Sequence, residues 1–387
     1  MMKKREIASI LTACAILAGT AATVPEMPEM VQLSVSAEDT YTEGTYERLT
    51  YRNYGEYIVI TDCTPPENGS SFDVEVPAEI DGVPVTTIGE SAFSHLDQIW
   101  AVTLPDTVTV IETKAFQGAL VRELTLSKQL TAIGRAAFNK CTSLHSLELP
   151  DTLTSIGDSA FSHSGLTSIT IPDSITMIPE GMFKNSQLQT IEFPENLTSI
   201  GELAFSGTKI ESISIPDSVT ELGSGIFYNT SSLTAAELPA GVTTLTSSLF
   251  SECYHLTTVS IPASVTEIQT SVFEGCDELA HIYFAGTQEE WNAIAISNYN
   301  EPVTAAEIHF SSAPDTSGGT VLYGDVNADG EVSIADVLCL NKNLLTGEEL
   351  TDEGILNADV DLDGSPTSAD AMNILKYTVK LLKDLPV

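Results

Sequence analysis

One phenylalanine recurs through the middle of this chain at intervals of 22 or 23 residues: Phe93, Phe116, Phe138, Phe161, Phe183, Phe205, Phe227, Phe250 and Phe273. Self-similarity at that period dictates the architecture, because one such unit cannot bury its own apolar face whereas stacked units can. Each unit reads roughly LxxLxLPxxVTxIxxxxF, as in LHSLELPDTLTSIGDSAF (Leu144–Phe161). Alternating apolar residues, such as Leu147 and Leu149 or Ile169 and Ile171, turn one face of a short strand inward. Pro150, Pro172, Pro194, Pro216, Pro239 and Pro262 come next, and a proline, lacking the ladder donor, ends the strand. A second short segment, holding Leu153 and Ile156 in the quoted unit, leads to a turn that drops Phe161 into the core. The pattern predicts a mostly β solenoid of about nine turns; at the usual strand spacing of ~4.8 Å, nine or ten coils form a rod on the order of 45 Å long.

Both ends of such a rod need covering. Glu47–Asp62 (ERLTYRNYGEYIVITD) reads as a hairpin turning near Asn53–Glu56. Thr287–Ile294 (TQEEWNAI) reads as a short helix with an N-cap Thr, early acids and a buried Trp291. The polar run Ser311–Thr320 (SSAPDTSGGT) is a linker. At the other end, Lys3, Lys4 and Arg5 precede the apolar stretch Ile7–Ala22, and Val35-Ser36-Ala37 is a small-residue cleavage site: an export signal. Leu11-Thr12-Ala13-Cys14 is a rival cut, of lipoprotein form. No later segment is apolar enough to span a bilayer. The expected organisation is an export signal over 1–37, a capped solenoid over 38–310, a linker over 311–322 and a C-terminal module over 323–387.

Fifty-four acidic against sixteen basic residues give a formal charge of −38. That balance disfavours nucleic acid, whose binding relies on Lys and Arg displacing counterions. Cleavage after Ala37 leaves Cys63, Cys141, Cys253, Cys276 and Cys339, with no regular framework. Cys253 and Cys276 fall in adjacent turns, so they could pair; a small buried thiol in a core slot is the favoured reading. No catalytic constellation is found. The histidines His95, His145, His163, His255, His281 and His309 lie in no zinc spacing, and no nucleophile elbow is present.

Two ladders would mark the rod's surface. A Thr follows the apolar residue of the second segment in every turn, from Thr86 and Thr109 through Thr266, and β-branched residues suit a half-exposed strand with paired neighbours. The outward residues of the first strand are Thr103, Thr125, Glu148, Thr170, Glu192, Ser214, Glu237, Ser260 and Tyr283, lining one open, concave face. Their hydroxyls and carboxylates suit a protein partner better than a polysaccharide, which would want a strip of aromatics where this face has Tyr283, with Trp100 nearby. A cell-wall ligand stays open as the alternative.

The tail carries a different signal. Gly324–Val337 reads GDVNADGEVSIADV, and Asp359–Ala371 reads DVDLDGSPTSADA. A twelve-residue calcium loop takes side-chain oxygens at positions 1, 3 and 5, a Gly at 6, a carbonyl at 7, often a water-mediated ligand at 9 and a carboxylate at 12. The first run supplies Asp325, Asn327, Asp329, Gly330, Glu331, Ser333 and Asp336. The second supplies Asp359, Asp361, Asp363, Gly364, Ser365, Thr367 and Asp370. Every slot is filled twice, and hard oxygen donors in that number select calcium, one ion per loop. Helical patterns follow each loop, at Asp336–Leu345 and Asp370–Leu382, the second with Ile374, Tyr377 and Leu381 as its apolar stripe.

Two family resemblances rest on these residues. The repeat, and Ile261–Cys276 (IPASVTEIQTSVFEGC) in particular, resembles the BspA-type leucine-rich repeat IPxSVTxIGxxAFxxC over about residues 72–285. The tail, two loops each with an exiting helix over residues 323–387, is similar to a dockerin, a small all-α module of paired F-hand motifs that clips secreted proteins onto the cohesins of a cellulosome scaffoldin. That resemblance implies a cohesin surface at positions 10, 11, 17 and 18 of each repeat: Ile334, Ala335, Asn341 and Lys342, then Ser368, Ala369, Leu375 and Lys376. The Ser-Thr pair of clostridial type I dockerins is absent, which points to a ruminococcal variety. The two sets differ, so equal binding by both faces is not expected. Pro366, at position 8, lacks the amide that normally links the loops, so the second loop should close less firmly.

The expectation is a secreted, non-catalytic cellulosome component, bound to its scaffold at the bacterial surface, that displays the repeats within plant polysaccharide breakdown. The alternatives are an accessory polysaccharide hydrolase and a surface adhesin anchored through Cys14.

Overall fold

The computed structural model describes residues 40–310, 323–327, 332–346, 350, 352–360 and 366–378. The expected export signal (1–37), the linker (311–322) and the loop positions Asp329, Gly330, Glu331, Asp361, Asp363, Gly364 and Ser365 lie outside the described residues.

Two parallel ladders run the length of the repeat region. The first-strand ladder places Val74, Val102 and Leu124 in register, then Ile169 and Ile191, then Ile213, Ala236, Val259, Ile282 and Ile308. The second stacks Ile88, Ile111, Ile133 and Ile156, then Ile178, Ile200 and Leu222, then Leu245, Ile268 and Ile296. Each register matches the sequence period, because a one-residue slip would turn every core side chain outward. Leu147 and Leu149 take the inward positions of their coil without an assigned strand, Leu147 being buried and Leu149 half-buried.

The solenoid has about eleven turns rather than nine, because both caps contribute a coil that lacks the phenylalanine marker. At the N-terminus the expected hairpin forms from Leu49–Asn53 and Ile58–Cys63. A further strand, Thr42–Tyr46, pairs antiparallel with Leu49–Asn53, and Ile58–Cys63 then runs parallel to Val83–Ile88, beginning the ladder. At the C-terminus the helix Gln288–Ala293 starts at Thr287 with a complete capping box, and Trp291 lies edge-on to Phe284 at 5.2 Å. A second short helix, Glu301–Ala305, leads into Glu307–Phe310, which pairs with His281–Phe284.

The nine repeat phenylalanines are fully buried and stack ring on ring, with centroids 4.9–5.8 Å apart and planes within 3–19° of parallel. Their amides form a second continuous array. Phe93 N–H donates to Ala115 O (2.7 Å), Phe116 to Ala137 O (2.8 Å), and so on to Phe250, which donates to Val272 O (2.9 Å). Phe273 has no further repeat to bond. Its amide donates instead to Asn300 Oδ1 (3.0 Å), while Asn300 Nδ2 donates to Gln269 O (2.8 Å) and Ser297 O (3.0 Å). Asn300, 5 % exposed, thus supplies by side chain the acceptor that the next coil's carbonyl supplies elsewhere.

The five cysteines among the described residues are thiols. Those of Cys141, Cys253 and Cys276 are buried and donate to the carbonyls of Phe116 (3.0 Å), Phe227 (3.0 Å) and Phe250 (3.1 Å) in the coil before. Burial pushes Cys141 and Cys276 up to about 12, and raises Cys253 as well. The threonine ladder is also internal bonding: Thr131 Oγ1 donates to Thr109 O (3.0 Å) and Thr198 Oγ1 to Thr176 O (3.0 Å), carbonyls that accept the same residues' amides.

Phe183→Ala should cost roughly 3–5 kcal/mol in urea denaturation, as a cavity opens in mid-stack. Asn300→Ala should cost about 1–3 kcal/mol by leaving the Phe273 amide buried without an acceptor. Cys253 and Cys276 should resist a thiol-alkylating reagent in the native protein and react fully once it is denatured, as intact mass will show.

Candidate functional site

The tail module is built on a two-fold internal correspondence at an offset of 34 residues. Its core pairs Val326 with Val360, Val337 with Ala371 and Leu340 with Ile374, all buried, with Ala358 among them. These are positions 2, 13 and 16 of the two loop–helix units, so one apolar triplet per unit closes the module. The exiting helices are Ile334–Thr346 and Ser368–Thr378. A third helix, Asp352–Ala358, enters the second loop, an element that the loop-plus-exit reading of the sequence lacked. Its Asn357, 1 % exposed, donates from Nδ2 to Asp325 O (2.8 Å), and Asn357 O accepts Gly324 N–H (2.7 Å). The end of that helix therefore holds the start of the first loop.

The carboxylate at position 12 organises each loop. Asp336 is fully buried; its Oδ1 accepts Asn327 N–H (3.1 Å), and its Oδ2 accepts Ser333 N–H (2.8 Å) and the Ser333 hydroxyl (3.3 Å). Asp370, also fully buried, accepts Thr367 N–H (2.8 Å) and the Thr367 hydroxyl (2.9 Å) in the same way, and its Oδ1 accepts Val360 N–H (2.8 Å), one loop position earlier than Asn327 in the first unit. Position 9 caps the helix in both units: Ser333 Oγ accepts Ala335 N–H and Thr367 Oγ1 accepts Ala369 N–H, each at 3.1 Å. An Asp rather than a Glu at position 12 suits this arrangement, since the shorter arm stays within reach of its own loop's amides.

Do the residues fit a calcium ion? Asp325, Asn327, Ser333 and Asp336 in one loop, with Asp359, Thr367 and Asp370 in the other, offer only oxygen donors. Asp325, Asp336 and Asp370 are 0–3 % exposed, and burying carboxylates is costly unless a cation or strong hydrogen bonds compensate. A carboxylate has about four lone-pair sites, so three hydrogen bonds leave Asp336 able to ligate. The donor set fits a hard cation.

Of the residues implied as cohesin contacts, Ile334, Ala335, Lys342, Ser368, Ala369 and Lys376 are exposed. Asn341 and Leu375 are half-buried, and Leu375 packs against the small core. Leu338 (64 % exposed) and Met372 (51 % exposed) lie one helical turn after Ile334 and Ser368, an apolar pair that counting loop positions missed.

On the repeats, the outward first-strand row borders a groove of about 790 Å³, lined in part by Arg122, Thr125, Glu148, Thr170 and Glu192. Thr170 Oγ1 donates to Glu192 Oε2 and Ser214 Oγ to Glu237 Oε2, both at 2.7 Å. The Arg122 guanidinium lies over exposed Trp100, 4.6 Å from its ring centre. The ladder also unites His281, Glu307 and His309 at the C-terminal end of this face, which sequence spacing did not reveal.

Comparison with known families accounts for both parts. The model described as "BspA type Leucine rich repeat region (6 copies)" matches residues 79–189 and 176–301, and that of the "Dockerin type I domain" matches residues 323–378. A search of the curated proteins finds no match. Among solved structures, the chain is similar to a leucine rich cell surface protein of Faecalibacterium prausnitzii, at 23 % identity and a TM-score of 0.41, over 67 % of this chain and 99 % of that one. It is similar also to a leucine-rich repeat protein of Bacteroides ovatus, at 21 % identity and a TM-score of 0.37, over 72 % and 91 %. A leucine rich repeat protein of T. pallidum matches at 27 % identity and a TM-score of 0.32, over 62 % and 91 %.

Asp370→Ala should remove the staple between loop and helix. The Val360 and Thr367 amides should then exchange with solvent at least about tenfold faster in the full chain, since each bond to a charged acceptor contributes roughly 1.5–3 kcal/mol.

Proposed function

This chain belongs to the BspA-type leucine-rich repeat family and ends in a dockerin type I domain, and from that premise we propose that it is an exported, non-catalytic component of a cohesin-based scaffold. Both modules are of non-catalytic kinds, and both are typical of extracellular or surface proteins. No described helix is long and apolar enough to cross a membrane.

The observation that carries the reading is the pair of loops centred on buried Asp336 and Asp370, with a helix leaving each. Two calcium ions would be held by Asp325, Asn327, Asp329, Glu331, Ser333 and Asp336, and by Asp359, Asp361, Asp363, Ser365, Thr367 and Asp370. Calcium supplies charge neutralisation, and because the unfolded chain has no such site, its binding energy is folding energy. The chain's own residues do the rest: Asp336 and Asp370 fasten the loops, Ser333 and Thr367 start the helices, and the two apolar triplets join the units. The exposed helix residues Ile334, Ala335 and Lys342, with Leu338, form a surface for a cohesin; Ser368, Ala369 and Lys376, with Met372, form the corresponding surface of the second unit. Asn341 and Leu375 contribute at the margin.

Docked by its tail, the chain would present the open face of the repeats to a second partner. Hydroxyls tied to carboxylates along that face, with the Arg122–Trp100 pair, favour a protein surface carrying basic or hydroxylated groups. The process served is plant polysaccharide breakdown, to which this chain would contribute attachment.

The full chain should bind an immobilised ruminococcal-type cohesin in millimolar calcium and lose at least about a hundredfold in affinity with chelator, equivalent to roughly 2.7 kcal/mol. Equal binding in both conditions would sink the reading, as would reproducible product release from a plant-glycan panel. In a chelator titration the second loop, carrying Pro366, should lose calcium before the first; simultaneous loss refutes that order.

A further inference from the structure

The C-terminal end of the repeat sheet gathers three ligating side chains that play no part in the calcium loops. His281 and Glu307 are direct partners across the last pair of parallel strands, and His309 stands opposite Tyr283 one step further on. Neighbours in register project from the same face of a parallel sheet, so all three side chains share the outer surface. His281 Nδ1 is 3.0 Å from His309 Nε2 and 3.7 Å from Glu307 Oε2, and His309 Nε2 is 4.0 Å from the same oxygen.

We propose that His281, Glu307 and His309 form a binding site for a divalent transition-metal ion, with zinc as the ion that fits best. The three atoms make a triangle whose equidistant point lies about 2.1 Å from each, against zinc–nitrogen distances of about 2.0–2.1 Å and zinc–oxygen distances of about 2.0–2.2 Å. Two imidazoles with one carboxylate suit zinc, copper and nickel, while calcium and magnesium take oxygen donors. This site and the loops therefore differ in the ion they select as well as in place.

Two features support the ligands. Tyr283 stacks on the His309 ring at 4.5 Å and 15°, which fixes the plane of that imidazole. The strand register places the backbones of His281 and Glu307 directly opposite each other. The terminal cap also has the right construction: the helices Gln288–Ala293 and Glu301–Ala305 lengthen the last coil and bring Glu307 level with His281. The side chains stay 35–68 % exposed, so an ion can enter directly from solvent. Three protein ligands would leave the ion at least one position for solvent or another ligand. The strong negative charge of the whole chain raises the local concentration of cations near such a site.

The test uses the full chain in saturating calcium, which fills the loops and leaves zinc to report on this site. Calorimetric titration with zinc chloride should show one ion per chain with micromolar or tighter affinity, and cobalt(II) should give the visible absorption of a four-coordinate nitrogen–oxygen site. His281→Ala and His309→Ala should each weaken zinc at least about tenfold, and Glu307→Gln by a smaller factor, with thermal melting of the zinc-free protein unchanged. A measurement on the unaltered protein keeps the proposal open to refutation should a variant misfold: zinc should shift the imidazole nitrogen resonances of two of the six histidines. No binding at 100 µM zinc, binding indifferent to both histidine substitutions, or shifts at any other histidines would overturn it.

Discussion

The repeat region depends on one constraint: a buried backbone amide needs an acceptor, and the amide of each stacked phenylalanine but the last finds it in a carbonyl of the following coil. The turn that inserts the ring is tight. It sets residues on both sides in the left-handed region, as at Ala136 and Lys140 around Phe138 and at Leu203 and Gly207 around Phe205. Such a conformation is unfavourable for most side chains, and it is retained in coil after coil because ring stacking and the amide array act together. The core slot three residues after each ring follows from the same geometry. Its side chain lies against the carbonyl of the previous phenylalanine, which is why Cys141, Cys253 and Cys276, and likewise Thr230, donate to that atom.

A ladder whose rungs each depend on the next must end somewhere, and the two ends solve this differently. The first coil is covered by a strand, Ile58–Cys63, whose other edge is occupied by its hairpin partner, and Thr42–Tyr46 covers the partner in turn. The last coil uses a side chain, with Asn300 standing in for a carbonyl, and a capping box that seats Trp291 over the end of the core. Exposed parallel edges invite pairing with other chains. The hairpin covers the second-segment ladder at its N-terminal end, while Phe72–Glu75 and Glu307–Phe310 are the terminal strands of the first-strand ladder.

How far the sequence showed this in advance depended on whether a feature repeats. The phenylalanine, the inward apolar slots and the prolines recur at a fixed period, so fold class and register were legible. The cap elements occur once: Thr42–Tyr46, Glu301–Ala305 and the bond from Phe273 to Asn300 carry no periodic mark, and the turn count fell short for that reason. The same holds at the tail. The proposed ligand positions could be named because they occupy fixed places in a twelve-residue loop, but the stapling by Asp336 and Asp370, the clamp made by Asn357 and the exposed Leu338 and Met372 emerge only from packing. His281, Glu307 and His309 were hidden because the cap stretches the repeat interval just where they fall.

The two parts of the chain differ in what stabilises them. The solenoid buries nine stacked rings and a full set of aliphatic ladders, and its stability is a sum over contacts between neighbouring coils. The tail has a small core, chiefly the triplets Val326, Val337 and Leu340 and Val360, Ala371 and Ile374. A core of that size supports little on its own, and it encloses carboxylates that strain against burial. On the proposed reading, the tail would draw on calcium to offset those buried carboxylates. Attachment through the tail would then depend on calcium, whereas the stacked core of the solenoid is stabilised by its own apolar contacts, a division that follows from how each part buries its groups.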